Sequence, residues 1–152
     1  MFDYKMEHVC SYRATLAPPE VFTAPPGDLR VNIYVTGGEV WGPRLQGKIK
    51  PIGADWWTLR TDGVAVLDVN AVIEANDGAL IDVQYNGIFD LGPDAYNAFL
   101  KGEPVTRTRV YAAPLLRTAH PAHQWVNRTQ FVNVGEADFA KLEVTYDVYA
   151  LG

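Results

Sequence analysis

Hydrophobic and polar residues alternate along much of this chain with the period of two that is typical of half-buried β-strands. The pattern is clearest in residues 64–75 (VAVLDVNAVIEA) and again in residues 79–89 (ALIDVQYNGIF). Between them stands Asn76-Asp77-Gly78, whose residue types tolerate the positive φ angles of a tight turn. The two segments are therefore predicted to form a β-hairpin.

The same combination of alternating runs and turn residues recurs elsewhere in the chain. Thr61-Asp62-Gly63 is predicted to be a second hairpin turn, and Gly135-Glu136 a third. Two proline pairs in residues 17–28 predict an extended connection on the surface. Further strands are predicted at residues 5–16, 29–35, 55–60, 125–134 and 137–150.

A single short helix is predicted, over residues 93–100 (PDAYNAFL). It has a proline in its first turn and Gly102 just beyond its end. About eight to ten strands with one such helix indicate a barrel or a sandwich. Polar residues on both strand faces favour a barrel with an occupied interior. We predict one all-β domain over residues 1–152, an antiparallel, closed or nearly closed β-barrel with the helix capping one end.

Composition and charge exclude several classes of protein. The chain is 48% hydrophobic and 20% charged, which is typical of a globular domain and not of disorder. A net charge of −5 argues against binding of nucleic acid or of an anionic membrane surface. With one cysteine, no basic and apolar leader and no apolar run long enough for a membrane helix, a soluble cytoplasmic protein is expected.

Motifs for cofactors and metals are incomplete. Residues 42–48 (GPRLQGK) resemble a phosphate-binding loop, but Ile49 replaces the required Ser or Thr and no helix is predicted to follow. His120-x-x-His123 could hold a metal, yet we find no third ligand in the sequence, and Pro121 argues against a regular helix that would align the two imidazoles. Cys10 lies on a predicted strand and is interpreted as a buried structural thiol. Neither a metal nor a cofactor is therefore expected.

Asp55 and Arg44 are the strongest candidates for chemistry. Asp55 precedes two tryptophans, and a carboxylate held against indole surface would have a raised pKa suited to a general base. It could equally cap backbone amides at the end of a strand. Arg44 could hold a carboxylate or an enolate, or it could form an ion pair at the barrel rim. Asp62 and Asp77 precede glycines and are interpreted as Asx-turn residues.

Aromatic and histidine side chains supply the remaining candidates. Tyr111 could donate a hydrogen bond to a carbonyl oxygen, and His120 or His123 could transfer protons near neutral pH. The structural alternatives are core packing for the tyrosine and a polar loop at the barrel rim for the histidines. The residues predicted to bind the ligand are Trp41, Trp56, Tyr85, Trp125 and Asn127.

Four stretches carry a resemblance to a known family: GGEVWGPRLQGKI, GADWWTLRTDGVAVLDV, NDGALIDVQYNG and YAAPLLRTAHPAHQWVN. Their order resembles the domain-of-unknown-function 3237 family of small bacterial and fungal proteins, over residues 31–149. The resemblance implies a lipocalin-like β-barrel, often assembled into homo-oligomers, with no settled general function. The residues of this chain that match positions of the family's motifs are Arg44, Asp55, Trp56, Asp62, Asp77, Tyr85, Tyr111, Thr118, Trp125 and Asn127.

The chain also departs from the family pattern at three positions. Arg117 stands where the family usually has an acidic residue, Asn70 where an arginine is usual, and His123 where an aromatic is common. The replacement of the acidic residue by Arg117 suggests a different, anionic substrate.

Three functions are compatible with the predicted fold and candidate residues, and the sequence favours them in the following order. The first is a cofactor-independent acid/base enzyme (an isomerase, lyase or cyclase) acting on a small carbonyl or aromatic metabolite inside the barrel. The second is a carrier that binds a small hydrophobic molecule without turning it over. The third is an interaction module in a homo-oligomer. For the enzyme, Arg44, Asp55, Tyr111 and Trp125 are predicted to face one cavity, with a histidine near its mouth.

Overall fold

The computed structural model of the chain describes residues 1–103 and 107–152. These residues form ten β-strands, one α-helix and one 3-10 helix. The strands are β1 (Met6–Leu16), β2 (Glu20–Thr23), β3 (Leu29–Trp41), β4 (Gly47–Leu59), β5 (Val64–Ala75), β6 (Leu80–Asp90), β7 (Arg107–Ala112), β8 (Leu115–Arg117), β9 (Gln130–Asp138) and β10 (Glu143–Leu151). Helix α1 spans Ala95–Leu100, and the 3-10 helix spans Pro121–Arg128.

Eight of these strands close into an antiparallel barrel in the order β1-β10-β9-β7-β6-β5-β4-β3, and β1 also pairs with β3. The two additional strands lie outside this circuit, β2 along β3 and β8 along β6. At the closing seam β1 and β3 approach so closely that a Cβ on Gly38 would lie 2.1 Å from the Arg13 carbonyl oxygen. The predicted antiparallel barrel with one short helix is confirmed.

Side-chain alternation divides the interior of the barrel from its surface, as predicted for the hairpin of β5 and β6. In β5, Leu67 and Val69 are buried, while the residues that alternate with them, Asp68 and Asn70, are exposed. Burial of an aliphatic side chain of this size contributes about 1.5–3 kcal/mol. The fold is therefore stabilised chiefly by inward-facing aliphatic and aromatic residues from all eight strands.

The two helices lie at opposite ends of the barrel. Phe99 of α1 packs against Trp57 and Phe139, with ring centroids 5.9 and 6.3 Å apart, at what we call the α1 end. The 3-10 helix covers the other end, the 3-10 end, where Val126 is buried and Trp125 packs on Phe131. In the described part of the chain, no helix has the length and apolar character needed to cross a membrane.

The predicted turn at Gly135-Glu136 is wrong, because strand β9 runs through both residues. The turn lies at residues 139–142, where the Asp138 carboxylate accepts hydrogen bonds from the backbone amides of Ala140 and Lys141. Gly135 instead permits close packing: a Cβ at this position would lie 2.1 Å from the Thr145 carbonyl oxygen. The predicted strand at residues 125–134 is likewise replaced in its first half by the 3-10 helix.

We expect Gly135→Ala to destabilise the protein by about 1–3 kcal/mol, the usual range for overpacking a filled interior. The added methyl would also press on the Tyr146 ring, whose Cδ1 lies 2.6 Å from the position of the new Cβ. Urea unfolding measures the change. Glu136→Ala, on the exposed face of the same strand, is the control and should change stability by no more than about 0.5 kcal/mol. Equal effects of the two substitutions would contradict this account of Gly135.

Candidate functional site

A cavity lies inside the barrel. Its empty volume is about 660 Å³, a figure that includes space open to solvent. The partly exposed lining residues Leu16, Phe139 and Val144 flank the β9–β10 turn, so the cavity opens at this end. Most of its wall is aliphatic or aromatic, and the polar groups that line it are Asp55, Tyr12, Tyr85 and Tyr146.

Asp55 is the carboxylate of this cavity. Strand β4 directs Asp55 inward together with Trp57, two residues further along. The indole Nε1 of Trp57 donates to Asp55 Oδ2 at 2.7 Å, and the backbone amide of Asp68 donates to Oδ1 at 3.2 Å. Both carboxylate oxygens are therefore held in fixed directions while the group still faces the cavity.

Burial is the main influence on the protonation of Asp55. Removal from water raises its pKa from 3.8 to about 7, and the nearby Asp68 charge adds to the increase. The hydrogen bonds from Asp68 and Trp57 act in the opposite direction, because they favour the charged carboxylate. A carboxyl with this pKa can accept and return a proton near neutral pH.

Three tyrosines form a layer across the middle of the barrel, beside Asp55. Asn133 Nδ2 donates to the Tyr12 hydroxyl at 3.0 Å, and the Tyr12 hydroxyl donates to that of Tyr85 at 3.3 Å. The Tyr146 ring packs on both, at 5.2 Å from Tyr12 and 6.0 Å from Tyr85. Burial first, and then the charge of Asp55, raises the pKa of Tyr85. The tyrosines therefore remain protonated and able to donate.

Sequence reasoning missed most of this layer. The sequence analysis assigns no functional role to Tyr12, Tyr146, Asn133 or Trp57. The available signal was the alternation itself, which puts Tyr146 between Val144 and Val148 on the buried face of β10. Which tyrosines lie beside Asp55 depends on the barrel register.

Arg44 and Trp125 do not face the cavity with Asp55, so that prediction is wrong. The Arg44 guanidinium stacks on the Trp125 ring, 3.9 Å from its centroid, at the 3-10 end. Its Nη1 lies 3.6 Å from a Glu7 carboxylate oxygen. Arg44 is therefore placed as the rim ion-pair partner that we considered as the alternative.

Tyr111, Trp41 and Trp56 do not line the cavity either. Tyr111 is 57% exposed because its neighbours Val110 and Ala112 take the inward positions of β7. Trp41 is 46% exposed at the end of β3. Trp56 alternates with Trp57, so it points outward, where it packs edge-on against Tyr34 at 5.7 Å. Their predicted placement on the cavity wall is corrected accordingly, whereas Tyr85 does line the cavity.

Asn127 and the two histidines lie at the 3-10 end, away from the cavity mouth. The Asn127 side chain bridges the backbone of Thr118, accepting from its amide at 2.8 Å and donating to its carbonyl at 2.7 Å. It thereby fixes the loop before the 3-10 helix. His123 Nε2 lies 2.7 Å from Asp77 Oδ2, and the His120 and His123 rings are 5.5 Å apart. A histidine at the cavity mouth was therefore a wrong prediction.

The turn aspartates and the cysteine have the structural settings predicted for them. Asp62 Oδ1 accepts from the Val64 amide and Asp77 Oδ1 from the Ala79 amide, both as Asx-turns. Hydrogen bonds from Ala79 and then His123 hold the pKa of Asp77 below its usual range. Cys10 is buried, and burial raises the pKa of its thiol to about 12. It is therefore a poor nucleophile at neutral pH.

Together the fold and the cavity define a closed, eight-stranded antiparallel β-barrel protein with an acidic group in an apolar interior. The chain belongs to the family described as protein of unknown function DUF3237, which matches residues 4–151. A UPF0311 protein of Rhodopseudomonas palustris is 33% identical over 124 residues, covering 80% of this chain and 79% of that protein. The resemblance noted in the sequence is thereby confirmed.

Solved structures show the same architecture. A protein of Acinetobacter baumannii described as β-barrel-like is 28% identical, with a TM-score of 0.83 over 100% of this chain and 98% of that one. A structure described as an enzyme from Penicillium herquei is 19% identical, with a TM-score of 0.73 over 100% of this chain and 97% of that one. At that identity the second likeness concerns the fold alone.

The raised pKa of Asp55 predicts a specific pH dependence of stability. Between about pH 4 and pH 7 the folded protein retains a proton that the unfolded chain releases. The Asp55 contribution is therefore fully present below the unfolded pKa and lost as the pH rises through the folded pKa, by roughly 1.4 kcal/mol per pH unit.

Urea unfolding of the wild type and of Asp55→Asn at about pH 5 and about pH 8 measures this contribution. The wild type should lose stability relative to the variant as the pH rises, because the variant has no proton to release at this position. An identical pH dependence in the two proteins would show that Asp55 titrates normally.

Proposed function

We propose that the protein is a cofactor-independent acid/base enzyme that moves protons on a small carbonyl or aromatic molecule held in the barrel cavity. The observation that carries this proposal is Asp55, a carboxyl group directed into an otherwise apolar cavity, with a pKa raised to about 7. A general base works best when its pKa lies near the operating pH. The hydrogen bonds from the Trp57 indole and the Asp68 amide hold the carboxylate in place and leave it among the residues that line the cavity.

The tyrosine layer supports the same reaction by supplying a hydrogen-bond donor. Asn133 satisfies the Tyr12 oxygen, and Tyr12 in turn donates to the Tyr85 oxygen. The Tyr85 hydroxyl proton takes no part in these two hydrogen bonds and is available to a ligand. A donor placed where negative charge develops is a large contributor to catalysis of this kind.

The reaction can be written with atoms and charges balanced. Asp55 removes a proton from a C–H group next to a carbonyl, and the electron pair of that bond moves to the carbonyl oxygen. Tyr85 donates a hydrogen bond to the resulting enolate. Return of the proton from Asp55 to another carbon gives an isomerase reaction, and its transfer to a group that the enolate electron pair expels gives a lyase reaction. If the enolate carbon instead attacks a second carbonyl carbon of the same molecule, the electrons of that C=O bond move to its oxygen, Asp55 protonates that oxygen, and the product is cyclic. Arg44 has no part in this scheme, because it lies at the 3-10 end.

The substrate class follows from the wall of the cavity. Its lining is almost entirely aliphatic and aromatic, including Trp57 and Phe89. Such a wall selects a small and largely apolar molecule with few polar groups. The anionic substrate suggested by Arg117 gains no support, because Arg117 forms an ion pair with Asp82 at 2.6 Å on the outer surface.

A substrate-independent test uses 5-nitro-1,2-benzisoxazole, which opens to a coloured phenolate when a base removes its ring proton. We expect the wild type to accelerate this reaction with a rate that rises with pH through about 7, because only ionised Asp55 is a base. Asp55→Asn should lose at least about a hundredfold in rate. Tyr85→Phe should lose about tenfold or more through its missing donor.

Two matched controls separate the site from general effects on the surface. Asp68→Asn removes an exposed carboxylate near Asp55 and should only move the pH profile slightly lower, because the Asp68 charge contributes to the raised pKa of Asp55. Tyr111→Phe removes an exposed hydroxyl. Both should retain the activity. A wild type no faster than buffer, or an Asp55→Asn variant as fast as the wild type, would contradict the proposed base.

The carrier function rests on the same cavity, and the apolar wall supports it as the second candidate. The two candidates differ in how they depend on Asp55. A carrier would bind an apolar fluorescent probe such as anilinonaphthalene sulfonate in the cavity and would show no proton-transfer activity. For a carrier, Asp55→Asn would change the affinity for the probe modestly and would not abolish binding.

We further propose that the barrel assembles into a homo-oligomer through the outer face of β5, β6 and β7. Val66, Ile88 and Tyr111 are cross-strand neighbours there and are 37%, 59% and 57% exposed. A contiguous row of exposed apolar side chains is typical of a protein–protein contact. Its occupant would be a second copy of this chain.

Sedimentation analysis tests this assembly. Ile88→Lys should shift the wild-type oligomer toward the monomer, because the new charge would have to be desolvated in the contact. Ile52→Lys is a matched control, since Ile52 is 57% exposed on β4, outside the row. A monomeric wild type, or equal dissociation by both variants, would contradict the proposal.

A further inference from the structure

We infer that the 3-10 end carries a second site, independent of the cavity, that binds a divalent transition-metal ion through Asp77, His120 and His123. The sequence had shown only two of these ligands in proximity. The fold supplies the third by bringing the β5–β6 turn, which contains Asp77, against the 3-10 helix. Potential ligand atoms of the three side chains all lie within 4.8 Å of one another.

The 3-10 helix explains why the two histidines lie together. Pro121 follows His120 as the first helical residue, a position where its fixed φ favours the start of a helix. Our expectation that Pro121 prevents alignment is therefore wrong. His120 is the extended residue immediately before the 3-10 helix, and His123 lies in the first turn of that helix. Their ring centroids are 5.5 Å apart.

Asp77 is held in place for the same role by the hairpin turn. Its Oδ1 accepts the Ala79 amide at 3.1 Å, which fixes the side chain, and its Oδ2 is directed at His123 Nε2 at 2.7 Å. A carboxylate oxygen and an imidazole nitrogen at this distance share a proton that a metal ion can replace. The first interaction survives metal binding, because it uses the other carboxylate oxygen.

The two imidazoles retain nitrogens for a metal. His123 Nδ1 is buried and has no hydrogen-bond partner among residues 1–103 and 107–152. His120 Nδ1 accepts the Ala122 amide at 3.3 Å, a long hydrogen bond that contributes little. Coordination at His123 Nε2 therefore replaces its 2.7 Å hydrogen bond to Asp77 with bonds from both atoms to the ion, and elsewhere in the cluster it disturbs only this long hydrogen bond of His120. The His123 side chain is 14% exposed and that of Asp77 42% exposed, so the cluster is shielded on one side and accessible on the other.

The ligand set indicates the class of ion. Two imidazoles and one carboxylate suit zinc and the neighbouring first-row ions better than magnesium or calcium, which prefer oxygen ligands throughout. Three protein ligands leave a tetrahedral zinc ion with one position for water or another small ligand. Bound there, the ion would link the β5–β6 turn to the 3-10 helix and so stabilise the covered end of the barrel.

The competing interpretation is a plain His123–Asp77 hydrogen bond that joins the same two elements without a metal. His120 distinguishes the two interpretations, because its side chain is not needed for that hydrogen bond but would be the third ligand. Asp77→Asn is useful for the same reason: an amide oxygen still accepts the Ala79 amide, so the turn is retained while the charged ligand is lost.

The test is titration of the untagged, chelator-treated protein with Zn²⁺ by calorimetry and with Co²⁺ by visible absorption. We expect one ion per chain, a Co²⁺ ligand-field spectrum, and a thermal midpoint that rises with Zn²⁺ concentration. His120→Ala and Asp77→Asn should each weaken binding at least about tenfold, which corresponds to about 1.4 kcal/mol. Binding should also weaken in acid, because protons compete with the metal ion for its ligands.

His8→Ala is the matched control, because it removes an imidazole that bonds to Ser11 at 3.0 Å, outside the cluster. It should bind Zn²⁺ and Co²⁺ as the wild type does. Wild-type protein that takes up no stoichiometric Zn²⁺ or Co²⁺ would overturn the proposal. So would His120→Ala and His8→Ala proteins with equal affinity. Since Asp77 and the histidines lie away from the cavity, Asp55→Asn should retain metal binding, so the two proposals can fail separately.

Discussion

The antiparallel pairing of β1 with β3 joins the two edges of the sheet, and the inside of the molecule exists because of it. Closure leaves one set of alternating side chains with no access to bulk water except at the ends. Removal from water stabilises buried aliphatic side chains, whereas it disfavours the charged form of a buried carboxylate. Asp55 faces the same interior, so the closure that stabilises the barrel also raises the pKa of this one acid.

The tyrosine layer separates two regions with different chemistry. On the α1 side lies an apolar cavity in which proton transfer would benefit from low polarity and a fixed donor, Tyr85. On the other side lie the 3-10 helix, the Arg44–Trp125 stack and the Asp77–histidine cluster, all polar and partly exposed. Because the ordered side chains of Tyr12 and Asn133 lie between these regions, each can be altered without direct contact with the other.

The sequence predicted the barrel well and its site only in part. Period-two alternation placed Leu67, Val69 and Tyr85 correctly, since one residue of shift would have turned every hydrophobic side chain of the strand outward. The structure places Asp55 on the inward face because it lies two residues before Trp57 on the same strand and therefore points in the same direction. The Gly135 turn failed because glycine serves two purposes, and only the packing of Tyr146 shows which one applies.

What the sequence by itself determined is the class of fold and the face of each regular strand, because these depend on neighbours within one or two residues. What only the tertiary structure decided is which distant side chains meet. The Tyr111 side chain points outward, and Arg44 lies at the 3-10 end. Asp77 contacts His123, although 46 positions separate them in the sequence. Such meetings depend on strand register and closure, which bring together residues from different hairpins, and no local pattern records them.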